Sequence, residues 1–380
     1  MPVPDTLARL VEEISPRVVE LRRLLHRHPE PAHREHRTTE LLRDFLTEAG
    51  LAFNDREPRT GGWVDIGESP RNGFRADIDA LPIREPAENS PRSEIEGWMH
   101  ACGHDAHAAI AAGIAVVVAR LSPRHGVRVL FQPAEETFPG GAIELVEEGL
   151  VDGFESLLAF HVDPALRVGR IGSRVGAITA GADIVRIMVH GPGGHTSRPH
   201  KTVDLVSAAS RVAAELPAAI RNSVDSRSAV VTAFGSIHGG DAPNVIPTEV
   251  VLEGTVRTLD AGLWDVLPSL VDKILGSILG LSGAGYTLDY QQGIAPVVND
   301  EAIVNRVTSA IRSSVGDEAV VPTETSMGGE DFSSYLAVTR GALLRLGSAS
   351  GGGDLHSASF LFNEDAIPIG IHAGAAALLS

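Results

Sequence analysis

The sequence predicts an α/β fold, a mostly parallel sheet flanked by helices, with a ferredoxin-like α+β module inserted into it. Apolar strand patterns alternate with helical patterns in both the first and the last part of the chain, which is typical of βαβ units. The middle part instead follows the order β-α-β-β-α-β. The chain has 380 residues, which is also more than usually fold around a single hydrophobic core. We therefore predict one domain in two pieces, 1–177 and 292–380, with a second domain, 178–291, inserted between them.

The helices and strands of the first piece are predicted from the residues that begin and end helices and from the spacing of apolar side chains. Ser15 and Pro16 resemble an N-cap followed by proline at the first helical position, so we predict an amphipathic helix from there to about His28. A second helix should end at Gly50, a typical C-terminal glycine. The predicted elements after the first helix are, in order, helix 37–49, strand 73–79, helix 105–120, strand 127–131, helix 142–148 and strand 157–160. Strands that alternate with helices imply a mostly parallel sheet that is covered on both faces.

The alternation changes near Gly176. Residues 184–189 alternate between apolar and polar side chains, as an antiparallel strand with one solvated face does. The inserted module is then predicted to continue with helix 203–216, strands 229–237 and 250–258, helix 263–281 and strand 286–290. From about Ile294 helix and strand alternate again, up to a C-terminal helix after Pro368.

Composition excludes several classes of function. The formal net charge of −17 disfavours nucleic acids and acidic membrane surfaces as partners. The longest apolar runs, such as Ile110–Ala119, are shorter than the roughly 20 residues that a membrane helix needs, and the N-terminus shows no secretory signal. A single cysteine, Cys102, cannot form an intrachain disulfide, so we expect a reducing, cytoplasmic location.

Metal-capable side chains follow several predicted strands. In open α/β sheets, ligands bind beyond the carboxyl ends of the strands, so these side chains should meet at one edge. Histidine, thiolate and carboxylate together suit Zn²⁺, with Mn²⁺ or Ni²⁺ as alternatives. The candidates are Asp77, Asp79, Cys102, His104, Glu135, Glu136, His161 and His356.

Two local patterns strengthen this prediction. Gly103 lets the backbone bend so that Cys102 and His104 can face one centre; the alternative is a buried free cysteine beside a helix-capping histidine. Glu135 and Glu136 diverge after a strand, so one can bind a metal while the other deprotonates a bound water. The alternative for this pair is an exposed acidic helix start, favoured by the helix dipole.

Other histidines and acids are ambiguous. His26 and His28 lie on a helix, where positions i and i+2 point about 200° apart, so they cannot share one metal and a structural role is favoured. The residues whose roles the sequence leaves open, as supports, caps or ligands, are Asp79, His100, Asp105, His107 and Asp163.

The inserted module carries three polar candidates. His195, in a glycine-rich turn, could donate a hydrogen bond to an oxyanion, and a plain turn histidine is the alternative. Arginine is the side chain best suited to bind a carboxylate through two hydrogen bonds, so Arg257 could bind a substrate carboxylate. The alternative is that Asn244 and Arg257 are loop and sheet-edge residues. The motifs of serine hydrolases, P-loop proteins and dinucleotide-binding proteins are missing.

Nine motifs in a fixed order resemble the M20 metallopeptidase family. They are R-A-D-I-D-A-L-P-I, M-H-A-C-G-H-D-A-H, F-Q-P-A-E-E, H-V-D, G-G-H-T-S-R-P-H, D-A-P-N-V-I-P, G-T-V-R-T, M-G-G-E-D-F and L-H-S. The resemblance covers nearly the whole chain. It points to the branch that holds hippurate hydrolases, auxin-conjugate hydrolases and N-acyl-L-amino-acid amidohydrolases.

The resemblance implies a zinc-exopeptidase-like catalytic domain with two divalent metal ions and a lid domain that mediates dimerisation in many relatives. By motif match the metal ligands would be Cys102, His104, Glu136, His161 and His356, with the cysteine bridging. Glu135 would be the general base. His195 would polarise the scissile carbonyl, Arg257 would bind the substrate carboxylate, and Asn244 would contact the substrate.

We therefore expect a metal-dependent amidohydrolase that cleaves an N-acyl amino acid to a carboxylic acid and a free amino acid, and that forms a homodimer or higher homo-oligomer. The alternatives are a carboxypeptidase or dipeptidase with the same site, and a metal-containing binding protein without catalysis. The chain departs from the family pattern at Thr137-Phe138-Pro139 and at Ser357-Ala358, both of which bear on substrate identity. The acyl group, the native metal and whether His195 acts within its own chain are left open.

Overall fold

The computed structural model describes residues 4–380, and Met1–Val3, which the predicted first piece includes, lie outside the described residues. The strands are β1 (Phe53–Asp55), β2 (Gly62–Ile66), β3 (Pro70–Asp77), β4 (Gly126–Gln132), β5 (Ser156–Asp163), β6 (Ile171–Ser173), β7 (Gly176–Thr179), β8 (Gly181–His190), β9 (Gly194–His195), β10 (Val230–His238), β11 (Val245–Ile246), β12 (Glu249–Thr258), β13 (Gly285–Ile294), β14 (Val297–Asn299), β15 (Val320–Pro322) and β16 (Gly341–Gly347). The α-helices are α1 (Pro4–Arg27), α2 (His36–Glu48), α3 (His104–Leu121), α4 (Gly141–Glu147), α5 (Leu205–Ser223), α6 (Ala261–Leu279), α7 (Glu301–Val315), α8 (Ser333–Leu336) and α9 (Ala366–Leu378).

An eight-stranded sheet organises the first part of the fold, in the order β1-β2-β4-β3-β5-β16-β6-β15. Its four central strands β4, β3, β5 and β16 run parallel, and Phe74 of β3 pairs with Val129 on one side and Leu158 on the other. The antiparallel pairs lie towards the edges, at β1–β2, β2–β4 and β16–β6. This mostly parallel sheet confirms the predicted fold class.

Helix α3 is the buried core helix of this sheet. It packs against β2, β3, β4 and β5, with α1 and α9 beside it. Its many alanines let it lie close to the strands, and its residues from His104 to Val118 are all buried. Within residues 4–380 it is the one helix long and apolar enough to cross a membrane by composition, and 83% of it is buried inside the protein. Its hydropathy is therefore explained by its place in the core.

The first helix is longer than predicted. We expected it to begin at Ser15 and Pro16, but α1 starts at Pro4 and runs through Pro16. The prolyl ring removes one backbone hydrogen bond, and the Ser15 hydroxyl donates to the Val11 carbonyl at 2.6 Å. A continuous apolar face at helical spacing outweighs that cost by packing into the core. This face comprises Leu7, Leu10, Val11, Ile14, Val18, Leu21 and Leu25.

The described chain forms two compact units. One comprises the residues up to Gly176 together with Val298–Glu324 and Ser334–Ser380, and the other comprises Ala177–Val297 with Thr325–Ser333. The second unit has its own sheet, in the order β10-β12-β8-β13, antiparallel throughout, and its own core beneath α5 and α6. This order is that of the predicted ferredoxin-like module. The domain boundaries at 178 and 291 stay a prediction.

Candidate metal centre

The residues predicted to bind metal meet at the carboxyl edge of the central strands. Cys102 lies in the loop before α3, and His104 begins that helix. Glu136 follows β4, His161 lies near the end of β5, and His356 lies in the loop after β16. Because β4, β3, β5 and β16 are neighbours and run parallel, these loops emerge side by side.

The distances describe two overlapping groups of donors that share one sulfur. The Cys102 Sγ lies 3.5 Å from His161 Nε2 and 3.2 Å from His356 Nε2. Cys102, His104 and His161 form one group, and Cys102, Glu136 and His356 form the other, with the donor atoms of each group within 4.8 Å of one another. A sulfur common to two such groups is what a thiolate that bridges two metal ions requires.

Special backbone conformations aim these donors. Gly103 has φ of +81°, and a Cβ there would lie 2.5 Å from Val162 Cγ2, so only glycine fits between Cys102 and His104. His356 itself adopts φ of +59°, a left-handed conformation that is costly for a residue other than glycine. Its backbone N–H donates to the Ala101 carbonyl at 2.9 Å, which ties its loop to the one that carries Cys102.

Hydrogen bonds orient both buried imidazoles. His104 Nδ1 donates to the backbone carbonyl of Asp79 at 3.0 Å and to its carboxylate at 3.1 Å, and His161 Nδ1 donates to the Val162 carbonyl at 2.8 Å. Within residues 4–380, His104 Nε2 is buried without a hydrogen-bond partner. A buried nitrogen of this kind is costly unless something occupies its lone pair, and a metal ion would do so. The residues therefore fit a metal centre.

The electrostatics of the centre indicate which donors hold protons when no metal is bound. Burial raises the pKa of the Cys102 thiol to about 12, and burial also lowers the pKa of His161 well below its usual value, with Arg345 adding to that effect. Burial opposes protonation of His104, but Asp77 holds the pKa of His104 well above its usual value. The metal-free centre thus holds protons on Cys102 and His104 that a divalent cation would displace.

Glu135 is placed beside this centre without joining the sulfur-sharing groups. Its side chain is 10% exposed, and its Oε2 lies 3.9 Å from His104 Nε2. Glu136 Oε1 lies 3.1 Å from His356 Nε2. Glu136 Oε1 also lies 3.9 Å from His104 Nε2, so both glutamates face His104, and of the two Glu136 is the one that also lies beside His356.

The structure gives positions to the residues whose roles were open. Asp79 supports the cluster twice, because one carboxylate oxygen accepts from His104 and the other accepts from the Glu136 N–H at 2.9 Å. His107 uses both ring nitrogens on the protein: Nδ1 donates to Asp77 at 2.5 Å, and Nε2 accepts from the Val162 N–H at 2.9 Å.

The remaining open residues lie around the cluster. His26 contacts the carboxylates of Asp105 at 2.8 Å and Glu85 at 3.0 Å, whereas His28 Nδ1 donates to the Leu24 carbonyl. The His26–His28 pair therefore shares no common centre. His100 is buried, and burial lowers its pKa to about 4. Asp163 accepts from the backbone of its own turn, at Ala165 N.

The three candidates of the second unit lie as follows. His195 and Asn244 sit in and beside the ribbon of β9 and β11, where the Thr196 N–H donates to the Asn244 carbonyl at 3.1 Å. The Ser197 N–H donates to His195 Nδ1 at 3.1 Å, so the neutral imidazole carries its proton on Nε2, where it can donate. Arg257 Nη1 donates to the Met327 carbonyl at 2.7 Å.

Sequence reasoning missed one residue next to the centre. Glu35 is completely buried, and it accepts a hydrogen bond from the backbone N–H of Ala134, directly before the glutamate pair. It lies almost a hundred residues earlier in the chain, in the loop before α2. Only the presence of an acid between helices signals it in the sequence, and that signal is weak.

A thiol, imidazoles and carboxylates that converge at the carboxyl edge of a parallel sheet define a metal-binding hydrolase. A family model described as Peptidase family M20/M25/M40 matches residues 73–380. An N-acyl-L-amino acid amidohydrolase of Geobacillus stearothermophilus is 35% identical over 334 residues, which cover 86% of this chain and 90% of that protein. Thermostable carboxypeptidase 2 of Saccharolobus solfataricus is 30% identical over 382 residues, which cover 97% of this chain and 96% of that protein.

Two further comparisons concern length and fold. A longer Rhodococcus jostii protein is 39% identical over 362 residues, and the chain spans 45% of its length. The solved structure of Bacillus subtilis YXEP, described as a dinuclear metal binding peptidase from the M20 family, superposes with a TM-score of 0.86 at 30% identity. The superposition covers 97% of this chain and 98% of that one. The chain therefore belongs to peptidase family M20/M25/M40, which confirms the resemblance.

Proposed function

We propose that the chain is an amidohydrolase that cleaves N-acyl amino acids, with Cys102, His104, Glu136, His161 and His356 holding two divalent ions. The single observation that carries this proposal is the pair of donor groups that share the Cys102 sulfur, with Glu135 beside them. The ions would be Zn²⁺ or Mn²⁺, with Ni²⁺ as a further option. When bound, they supply Lewis acidity and a water of lowered pKa.

The chain's own residues supply the proton transfers. Glu135 takes a proton from the attacking water and passes it to the nitrogen of the leaving amino acid, so that the amide C–N bond breaks as a new C–O bond forms. Asp79 keeps the proton of His104 on Nδ1 and thereby directs Nε2 to the centre. Because the paired glutamates leave the same strand end, the base stays next to the ligand.

The second unit supplies recognition in this proposal. His195 donates from Nε2 to the carbonyl oxygen as negative charge develops on it. Arg257 binds the carboxylate of the amino-acid part, and its bond to Met327 orients the guanidinium for that task. Asn244, beside His195, adds a polar contact to the substrate. Phe138, three residues after Glu135, is half-exposed, and we propose that it influences which acyl group is accepted.

A carboxypeptidase or dipeptidase activity is the second candidate, because a peptide bond is an amide to which the same chemistry would apply and a carboxypeptidase is among the similar proteins. The test is turnover of N-acetyl amino acids, N-benzoyl amino acids and dipeptides by the chain reconstituted with Zn²⁺ or Mn²⁺. The proposal expects the N-acyl substrates to be preferred, and faster dipeptide hydrolysis would assign the chain to the second candidate.

Glu135→Gln is the matched variant for this test. It should keep its metal content, measured by elemental analysis, and lose turnover by about 10²- to 10⁴-fold, because a positioned base contributes that much. The control is Glu147→Gln, on α4 of the same unit. Normal turnover in Glu135→Gln would remove Glu135 from the mechanism, whereas no turnover by the metal-loaded wild type would place the chain in the class of metal-containing binding proteins.

A further inference from the structure

Glu35 stands at the N-terminus of α2 but does not cap that helix. It occupies the N-cap position, and its side chain makes no capping hydrogen bond. The first amides of α2 are capped by Glu30 instead, whose carboxylate accepts from Arg37 N at 3.1 Å and from Thr38 N at 2.8 Å. The Glu35 carboxylate therefore takes no part in capping α2, and it lies buried in the interior.

Three donors from separate segments meet on this carboxylate. Oε1 accepts from the backbone N–H groups of Ala134 at 2.8 Å and His33 at 3.0 Å. Oε2 accepts from the Thr60 hydroxyl at 2.6 Å. Burial raises the pKa of Glu35 to about 7, and nearby Asp79 adds to that rise. Burying a carboxylate is costly unless its oxygens are hydrogen-bonded. The three donors are therefore held in one geometry around the Glu35 carboxylate.

The donor that matters for chemistry is the amide of Ala134, since Glu135 follows it. Ala134 adopts φ of +56°, which an alanine takes only when its surroundings impose it. The Gly141 N–H donates to the Ala134 carbonyl at 2.9 Å and closes the loop that carries both glutamates. On the far side of Glu135, the Glu136 N–H is held by the Asp79 carboxylate at 2.9 Å. The backbone on either side of Glu135 is thus fixed by a buried carboxylate.

We propose that Glu35 is a positioning residue for the general base: by holding the Ala134 amide in its left-handed conformation, it aims the Glu135 carboxylate at the metal centre. The inference rests on the proposed function for its kinetic consequence. Its structural part, the anchoring of residues 134–136, does not depend on which substrate the chain hydrolyses.

The variants separate geometry from charge. Glu35→Gln can accept from Ala134 and His33 through its amide oxygen and donate to the Thr60 hydroxyl, so kcat should stay within about tenfold of wild type. Glu35→Ala removes every one of these bonds, and kcat should fall by about a hundredfold at unchanged metal content, the cost of a base displaced by about 1 Å. Glu30→Gln is the matched control, because Glu30 also binds backbone amides but does not contact Ala134, and its kcat should be unchanged.

Two readouts distinguish positioning from general support of the fold. Hydrogen–deuterium exchange of the metal-loaded protein should accelerate in the segment containing Ala134 for Glu35→Ala and not for Glu30→Gln. In a Glu135→Gln background, Glu35→Ala should cause no further loss of kcat, because a residue that acts through Glu135 has nothing left to position.

The proposal is overturned if metal-loaded Glu35→Ala keeps wild-type kcat or unchanged exchange at residues 134–136, or if Glu35→Gln is as impaired as Glu35→Ala. If Glu35→Ala does not fold, Glu35→Asp, whose carboxylate is withdrawn by one methylene, is judged by the same two readouts. Absence of any turnover by the metal-loaded wild type refutes the proposed function instead, and the exchange measurement then decides the anchoring by itself.

Discussion

Metal binding at the group formed by Cys102, His104 and His161 should depend steeply on pH. Burial raises the pKa of Cys102 to about 12, and the pKa of His104 is also raised above its usual value, while that of His161 is lowered. Without metal, the group therefore favours a proton on the thiol and a second proton on His104, on Nε2. Both donors bind metal only after losing them, so binding must weaken as the pH falls.

The magnitude follows from the number of protons. The Cys102 proton, which must leave, changes the apparent affinity by about tenfold per unit between pH 6 and pH 8, and the raised pKa of His104 makes the dependence steeper. For Cys102 alone, a pKa of about 12 lies five units above pH 7. At 1.36 kcal/mol per unit, deprotonation offsets about 7 kcal/mol of the intrinsic metal affinity at that pH.

The assay is chelator competition for Zn²⁺ at pH 6, 7 and 8, corrected for protonation of the chelator, together with proton release measured at constant pH. Cys102→Ala should reduce both the slope and the proton release by one proton. His372→Gln is the control, because that ring contacts Ser314 and lies outside the donor groups. An affinity that changes less than about threefold per pH unit, or binding without proton release, would refute the assignment of Cys102 as a thiolate ligand.

Two further predictions concern recognition and the loop. Arg257→Lys loses the planar fork that pairs with a carboxylate, so KM for an N-acyl amino acid should rise by about tenfold, while KM for the corresponding carboxamide should not change. A Cβ at Gly141 would lie 2.0 Å from the Pro133 carbonyl oxygen, so Gly141→Ala should reduce turnover and cost about 1–3 kcal/mol in urea unfolding. Gly276→Ala is the control, because its nearest contact is 3.4 Å and helical alanine is favoured there; a Gly141→Ala variant as stable as this control would contradict the clash.

Much of the fold could be predicted because its signals are local. Buried runs such as Leu157–Phe160 between helical patterns indicate parallel strands, and their ends locate the candidate ligands. The predicted start of α1 was wrong because burial of a long apolar face against the core outweighs the cost of one proline. No local sequence pattern reveals that burial. Strands β1 and β2 were not predicted, since β1 has three residues and the pair gains its place by antiparallel addition to β4.

Glu35 illustrates what local signals cannot supply. Its partner Ala134 lies far along the chain, and its own context indicates nothing more than a helix cap, a task that Glu30 performs. In the proposed function Glu135 must point at a cluster whose candidate ligands come from other loops, and the backbone that carries it leaves a strand through a left-handed alanine. Such a conformation persists only when bonds from outside the loop impose it. The orientation of the Glu135 side chain is therefore set by contacts across the whole fold. Residues that never contact a metal ion or a substrate should consequently affect turnover as strongly as some residues that do.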